Sequence, residues 1–388
     1  MNLSGLKNNR GVALLITLSI ITILVTVGLE LNRRTKATVD AAATLKDRFT
    51  LTQMATGAIH TGMALLIKDA KDTQIDSVQE DWADPDKIEQ MLNEIPFDDG
   101  KVSLVISDEL AKIQVNALVD FPEGTQFNIT QRALWERFMD KLLKLYKETE
   151  DVSDMEETDS ETIINSLKDW LDSKDDDAVT GLSGAESDYY MGLDNPYKCK
   201  NGPFSHLGEV ALVKGIPPEL FNGFGDLLGL SNFLTIYGAV EAGAGGTTDS
   251  DSSTTEEITE SDESKEADFT YEGKININTA DLPVLMALLP AEASEFAKNL
   301  YDYRIAKAGD ETYLNDLSQE GWYQNVPGFA GLTIEDEENL ITLSSSIFRI
   351  TATAIRFKAQ LTLTAIVQRQ KDKESGKWEC KVLNWLIE

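Results

Sequence analysis

The sequence predicts an α+β protein in which a long N-terminal helix, starting in a membrane, packs on an antiparallel sheet interrupted by two inserted helical modules. Three observations predict it. Residues 12–29 are an apolar run without a charge, and proline-free sequence carries the helical pattern on from there to residue 68. Residues 347–357, 360–368 and 377–387 alternate Thr or charged side chains with Ile, Val, Leu and Trp, which reads as three strands joined by short polar turns. About 230 residues of mainly helical sequence separate these strands from an earlier strand-rich stretch.

Composition narrows the function classes. The 388 residues include 35 basic and 66 acidic side chains, a formal charge of −31. That charge opposes the phosphate neutralisation on which nucleic-acid binding depends. Hydrophobic residues at 42% and charged residues at 26% describe a chain that mostly folds in water, and they exclude wholesale disorder and a polytopic membrane protein. Two cysteines, Cys199 and Cys380, and two histidines, His60 and His206, are too few for a disulfide scaffold or histidine-based metal and proton-relay chemistry. The cysteines fall in different predicted modules, which favours free thiols over a bridge. No nucleophile and base motif accompanies His206, so an enzyme is disfavoured.

In order along the chain, the polar leader MNLSGLKNNRG carries Lys7 and Arg10. At about 1.5 Å per helical residue, the apolar run that follows spans roughly 27 Å of hydrocarbon. It lacks the small-x-small cleavage site of an ordinary signal peptide. Arg33, Arg34 and Lys36 follow it as closely as Lys7 and Arg10 precede it, so charge counting leaves the topology open. Beyond the span, Leu45, Phe49, Thr52, Ile59, Met63 and Leu66 recur at helical spacing as a face for packing. Gly57 and Gly62 are expected to let that face sit close to the sheet. Residues 101–115 alternate on either side of Ser107, Asp108 and Glu109, which reads as a hairpin.

The inserted region holds a weak repeat. AKIQVNALV at 111–119 is echoed by GKININTADLPVLMALLP at 273–290, each a short strand running into an asparagine-led entry to helix. The second copy is followed by YDYRIAKAGD and VPGFAGL, which resemble a helix-hairpin-helix or SAM-like unit. DNA binding through such a hairpin is disfavoured by the neighbouring IEDEE at 334–338. Residues 241–265, rich in Gly, Ser, Thr and acidic side chains, read as a flexible insert. The densest polar group is DWLDSKDDDAVTGLSGAESDYY at 169–190. Its carboxylates, around Gly181 and Gly184, could converge the hard oxygen donors that calcium requires, or form a solvated acidic face.

The basic leader, Gly11 and the apolar helix resemble the class III signal of type IV pilins and type II secretion pseudopilins. The resemblance implies cleavage by a prepilin peptidase between Gly11 and Val12, an N-methylated mature amine, single-pass anchoring in the inner membrane and a periplasmic C-terminal bulk. Mature position five is glutamate in major subunits, where it pairs with a neighbour's amine inside the membrane. Here it is Ile16, a departure that resembles the minor pseudopilin K family at the filament tip. Val12 stands where pilins usually begin with phenylalanine.

DWLDSKDDD, GAESDYY and NPYKCKNGPF resemble that family's calcium-binding stretch, which implies Asp172, Asp175, Asp177, Glu186, Asp188 and Asn201 as ligands. The implied organisation is pilin-like: leader 1–11, transmembrane helix 12–30, pseudopilin helix and first strands 31–118, first SAM-like module 119–240, acidic insert 241–272, second SAM-like module 273–345 and terminal strands 346–388. The implied partners are minor pseudopilins I and J, with promotion of pseudopilus assembly and export of folded proteins as the function. A minor pilin or tip adhesin of a type IV pilus, or a competence pseudopilin, is the alternative.

Overall fold

The computed structural model describes residues 10–97, 100–148, 158–173, 179–241, 269–309, 312–329 and 332–387. Helix α1 (Arg10–Asp72) is a single rod of 63 residues, so the apolar run and the sheet-packing segment are one element. Its first twenty residues expose their apolar side chains, whereas Leu51, Ala55, Ala58, Ile59 and Leu66 are buried. Gly62 sits close to the sheet as expected: a Cβ there would lie 3.0 Å from Ile350 and 3.3 Å from Ile106. Gly57 faces open space, and Leu45 and Phe49 are exposed rather than packed. The spacing marked a stripe about a quarter-turn away from the face that is actually buried.

After α1, helix α2 (Pro85–Asn93) is started by Asp84, whose carboxylate accepts from the amides of Asp86 and Lys87, and by Pro85 at its first position. Ile88 and Leu92, one turn apart, bury its apolar side. Strand β1 (Lys101–Asp108) then enters the main sheet.

The expected hairpin at residues 101–115 does not form. β1 pairs instead with a strand some 240 residues later, and Asp108 and Glu109 are buried. Asp108 accepts from Leu110 N, Asn276 Nδ2, Thr279 Oγ1 and Ser345 Oγ at 2.6–2.9 Å. Glu109 receives the Arg349 guanidinium through two 2.9 Å bonds, together with Thr235 and Lys112. An acidic pair that looks like part of a solvent turn is thus a buried junction, because distant residues supply its donors.

Past this junction, β2 (Ile113–Gln114) leads into helices α3 (Ile129–Lys147) and α4 (Ser160–Leu171). Asn128 and Asp159 cap them by accepting from Gln131 N and Thr162 N. Three short strands of the inserted region matter here, β3 (Leu234–Thr235), β4 (Ile275–Asn276) and β5 (Ile341–Thr342), and β6 (Ile347–Arg356) then returns to the sheet. β7 (Ala359–Lys371) and β8 (Trp378–Ile387) complete it. The main sheet runs β1-β6-β7-β8, antiparallel throughout, with α1 across one face. The three terminal strands lie where their alternation placed them.

The repeat at 111–119 and 273–290 has a structural counterpart. β2 pairs parallel to β3, and β4 pairs parallel to β5. Asn116, just after β2, donates to Ile236 O and Phe204 O, while Asn278, just after β4, donates to Leu343 O and accepts from Trp322 Nε1. Both asparagines are fully buried and each pins the strand that closes its module. The modules share one apolar core that includes Trp135, Phe138, Trp170, Leu285 and Trp322, and Ile113, Val115 and Leu118 join it rather than the sheet's core. The second core lies between α1 and the sheet and includes Ile59, Leu66, Ile350 and Leu363.

Candidate metal centre

The acidic loop begins at the C-terminal end of α4, whose Ile163, Ile164, Leu167, Trp170 and Leu171 are buried. A helix C-terminus repels carboxylates, so Asp169 and Asp172 need compensation there. Asp169, fully buried, accepts from Thr180 N at 3.1 Å and Ala185 N at 2.8 Å, folding the loop back over the helix end. Gly184 is required at this closure, because a Cβ there would lie 2.1 Å from Asp169 Oδ2. Lys214 Nζ donates to the carbonyls of Ser183 and Gly184 from the other side. Asp172 is buried and holds the Lys168 ammonium one turn back.

A third segment closes on the same helix end. Trp170 stacks on Phe204 and meets Tyr190 edge-on. Gly202 N donates to Trp170 O, Cys199 Sγ donates to Asp169 O, and Phe204 N donates to Asn116 Oδ1. The end of α4, the 184–187 turn and the 199–202 segment are therefore neighbours, although they are separated by up to some thirty residues of chain.

Of the predicted ligands, Asp172 and Glu186 are buried at this junction and Asn201 joins them from the third segment. Asn201 has a left-handed backbone, φ 54°, and its Oδ1 is buried with no hydrogen-bond partner among the described residues. A buried carbonyl oxygen without a partner is a hard donor of the kind a calcium ion takes. Asp188, by contrast, is exposed. Asp175 and Asp177 lie outside the described residues. Sequence reading missed Asp169, Lys168 and Lys214, which build the loop; the i to i+3 spacing of Asp169 and Asp172 on one helix was the available signal. Burial pushes the Cys199 thiol up to about 12. Cys199 and Cys380 are free and belong to different cores.

A second carboxylate group, Asp69, Asp76 and Glu80, has oxygens within 4.8 Å of one another. The Arg369 guanidinium already lies on Asp69 and Asp76, while Glu80 accepts from Thr73, Ser77 and Trp82. At the other end of the chain, Gly11, Val12 and Ile16 lie on the exposed first turns of α1, which is long and apolar enough to cross a membrane.

Residues 111–226, which carry β2, α3, α4 and the acidic loop, match the family model of type II secretion system protein K. The chain is related to that family. Relatives named type II secretion system protein K are 29% identical over 220 residues in Pectobacterium carotovorum subsp. carotovorum and 25% over 214 residues in Klebsiella pneumoniae. Each alignment takes in 55% of this chain and 61% or 60% of the relative, so the chain spans about three-fifths of the length of these protein K relatives. The fold likeness reaches further. A chain in the crystal structure of the GspK-GspI-GspJ complex of enterotoxigenic Escherichia coli superimposes with a TM-score of 0.57 over 89% of this chain and 99% of that one, at 15% identity.

Proposed function

We propose that this chain is a minor pseudopilin at the tip of a type II secretion pseudopilus, assembling with minor pseudopilins I and J. One observation carries the reading: the segment that matches protein K is inserted into a helix-on-sheet unit whose helix continues as an exposed apolar span. The role is structural rather than enzymatic. The span anchors the chain in the inner membrane after prepilin peptidase cleavage at Gly11–Val12, and the sheet and modules stand in the periplasm. The insert on the sheet is bulky enough to obstruct a successor in a helical stack, and Ile16 lacks the carboxylate of a stacking subunit, so this subunit ends the fibre and promotes its assembly. Export of folded proteins across the outer membrane follows from that assembly.

Calcium belongs to the same reading. Asp172, Glu186 and Asn201 would hold it with acidic residues of the 174–188 loop, and a bound cation there would offset carboxylate repulsion and lock the loop against α4. Deletion of the gene and complementation with an epitope-tagged chain test the function. The expected result is loss and recovery of exoprotein secretion, with the tagged chain co-purifying with the I and J subunits and labelling only fibre ends. Labelling along the fibre, or secretion unaffected by deletion, refutes it.

A further inference from the structure

We propose that the cleft where the end of α1, the sheet and the two modules meet binds an acidic peptide segment. The cleft has a volume of about 1170 Å³, above the roughly 300–1,000 Å³ of small-molecule sites, so it has room for a length of chain. Its walls are the last turn of α1, the end of β7 with the turn into β8, residues 344–347, and the chain at 238–240 and at Lys274.

In a chain with 66 acidic and 35 basic residues the lining reverses the balance: Lys71, Lys274, Arg369, Lys371 and Lys377 outnumber the carboxylates of Asp72, Asp76 and Glu272. Arg369 is the one of these cations that pairs with a carboxylate among the described residues. Lys71 lies in the last turn of α1 and offsets the negative end of that helix. Lys274, Lys371 and Lys377 are left for a ligand, and Lys371 Nζ stands 5.0 Å over the ring of Trp378. With a Debye length of about 8 Å at physiological salt, these neighbours rather than the remote acidic surface set the potential a ligand meets.

A second feature of the wall calls for a donor. Gln114 is 2% exposed and lines the cleft; its Nε2 donates to Lys274 O, while its Oε1 has no partner among the described residues. Oε1 lies against the bare side of Gly238, where a Cβ would sit 2.2 Å away. A buried acceptor without a donor is costly. A simple anion brings acceptors only and leaves Oε1 unpaired, whereas a peptide brings backbone N–H groups together with its carboxylates. At about 1.5 Å per residue, Lys71 is roughly 60 Å along α1 from Leu29, where the apolar run ends, too far for a lipid headgroup to reach the cleft.

Two sources share this chemistry. Residues 242–268, outside the described residues, carry nine carboxylates and one lysine, and the chain enters and leaves them at the paired Glu241 and Phe269, close to the lining residues Val240 and Glu272. An acidic segment of a partner protein is the other.

Fluorescence anisotropy tests the site with a labelled peptide of sequence 249–263, which has seven carboxylates. The peptide is titrated into the detergent-solubilised full chain and into a variant in which a short Gly-Ser linker joins Glu241 to Phe269. Binding to the linker variant is expected, with at least tenfold loss when Lys274, Lys371 and Lys377 are all changed to Gln and recovery when all three are Arg. Changing Lys101, Lys198 and Lys358, exposed lysines elsewhere, to Gln removes the same charge and is expected to leave the affinity within twofold. Tighter binding by the linker variant than by the full chain assigns the site to the chain's own acidic segment, and equal binding assigns it to a partner's; both support the site. Absence of binding to the linker variant, equal loss in the control triple, or equal binding of the same peptide with Asn and Gln for its acids overturns it. Should the site triple fail to fold, Lys377→Gln alone, on the exposed turn into β8, is expected to weaken binding about threefold, and an unchanged affinity there also overturns the proposal.

Discussion

Arg369 on β7 and Asp76 in the segment leaving α1 form a buried ion pair in which one guanidinium nitrogen donates to both carboxylate oxygens, at 2.6 and 2.7 Å. The same guanidinium donates to Asp69, to Leu66 O and to Ser345 O, and its face lies over Phe348. Ser345, in turn, donates to Asp108, which also holds Asn276 and Thr279. One chain of polar contacts thus joins α1, the sheet and the second module, giving the long helix a fixed attachment to the inserted region.

Removing the centre of that chain leaves several buried carboxylate oxygens uncompensated. Arg369→Met is expected to destabilise the protein by about 3–5 kcal/mol, the usual cost of breaking a buried ion pair on one side. Arg369→Lys keeps the charge but loses the planar fork, and it should fall between the two. Urea unfolding of the detergent-solubilised chain measures both, and a Met variant as stable as the parent contradicts the assignment.

The same cluster makes stability depend on pH. Burial, with Glu80 and Asp76 nearby, raises Asp69 from 3.8 to about 7, and burial raises Asp108 to about 6; Asp76 is also raised. Between about pH 4 and 7 the folded chain therefore keeps protons that the unfolded chain has released. Stability from these groups is fullest at the acid end and falls as pH rises towards 7. Self-repulsion of a chain at −31 has the same sign. Asp69→Asn should flatten the fall between pH 5 and 7 in a series of thermal melts; an unchanged slope excludes Asp69 as a contributor.

At the acidic loop, Gly184→Ala drives a methyl against Asp169 and should release the Thr180 and Ala185 amides. The expected cost is about 1–3 kcal/mol for the stranded buried carboxylate. Faster hydrogen exchange at the Ala185 amide is the local signature, and full protection in the variant counts against the clamp.

Lys168 already holds Asp172, so a calcium ion bound as proposed would compete with it. Calorimetry is expected to show weaker calcium binding in Asp172→Ala and tighter binding in Lys168→Gln, with calcium raising the melting temperature of the parent chain more than magnesium does. Identical melts with chelator and with millimolar calcium return the loop to a solvated acidic surface.

Membrane-extracted protein should begin at Val12 on N-terminal sequencing. A start at Met1 or near Gly28 removes the prepilin signal from the reading.

Periodicity located what depends on neighbours in sequence. The apolar span, the proline-free continuation of α1 and the three alternating terminal strands are local patterns, and each appears in the structure close to its expected limits. The echo of 111–119 in 273–290 foretold the matching roles of Asn116 and Asn278. Leu45 and Phe49 went wrong for a physical reason: helical spacing finds an apolar stripe without saying whether the sheet or another molecule covers it.

The residue order by itself determined an acidic α+β chain with an apolar N-terminal span, helical inserts and an oxygen-rich loop, because charge, hydropathy and alternation are properties of the chain alone. Only the tertiary structure decided that Asp108 and Glu109 are a buried junction instead of a turn, that Asp169 clamps the loop while Asp188 faces solvent, and that Arg369 gathers Asp69 and Asp76. A polar side chain's burial depends on whether donors from far along the chain arrive to compensate the loss of water, and those arrivals are set by the packing of α1, the sheet and the two modules together.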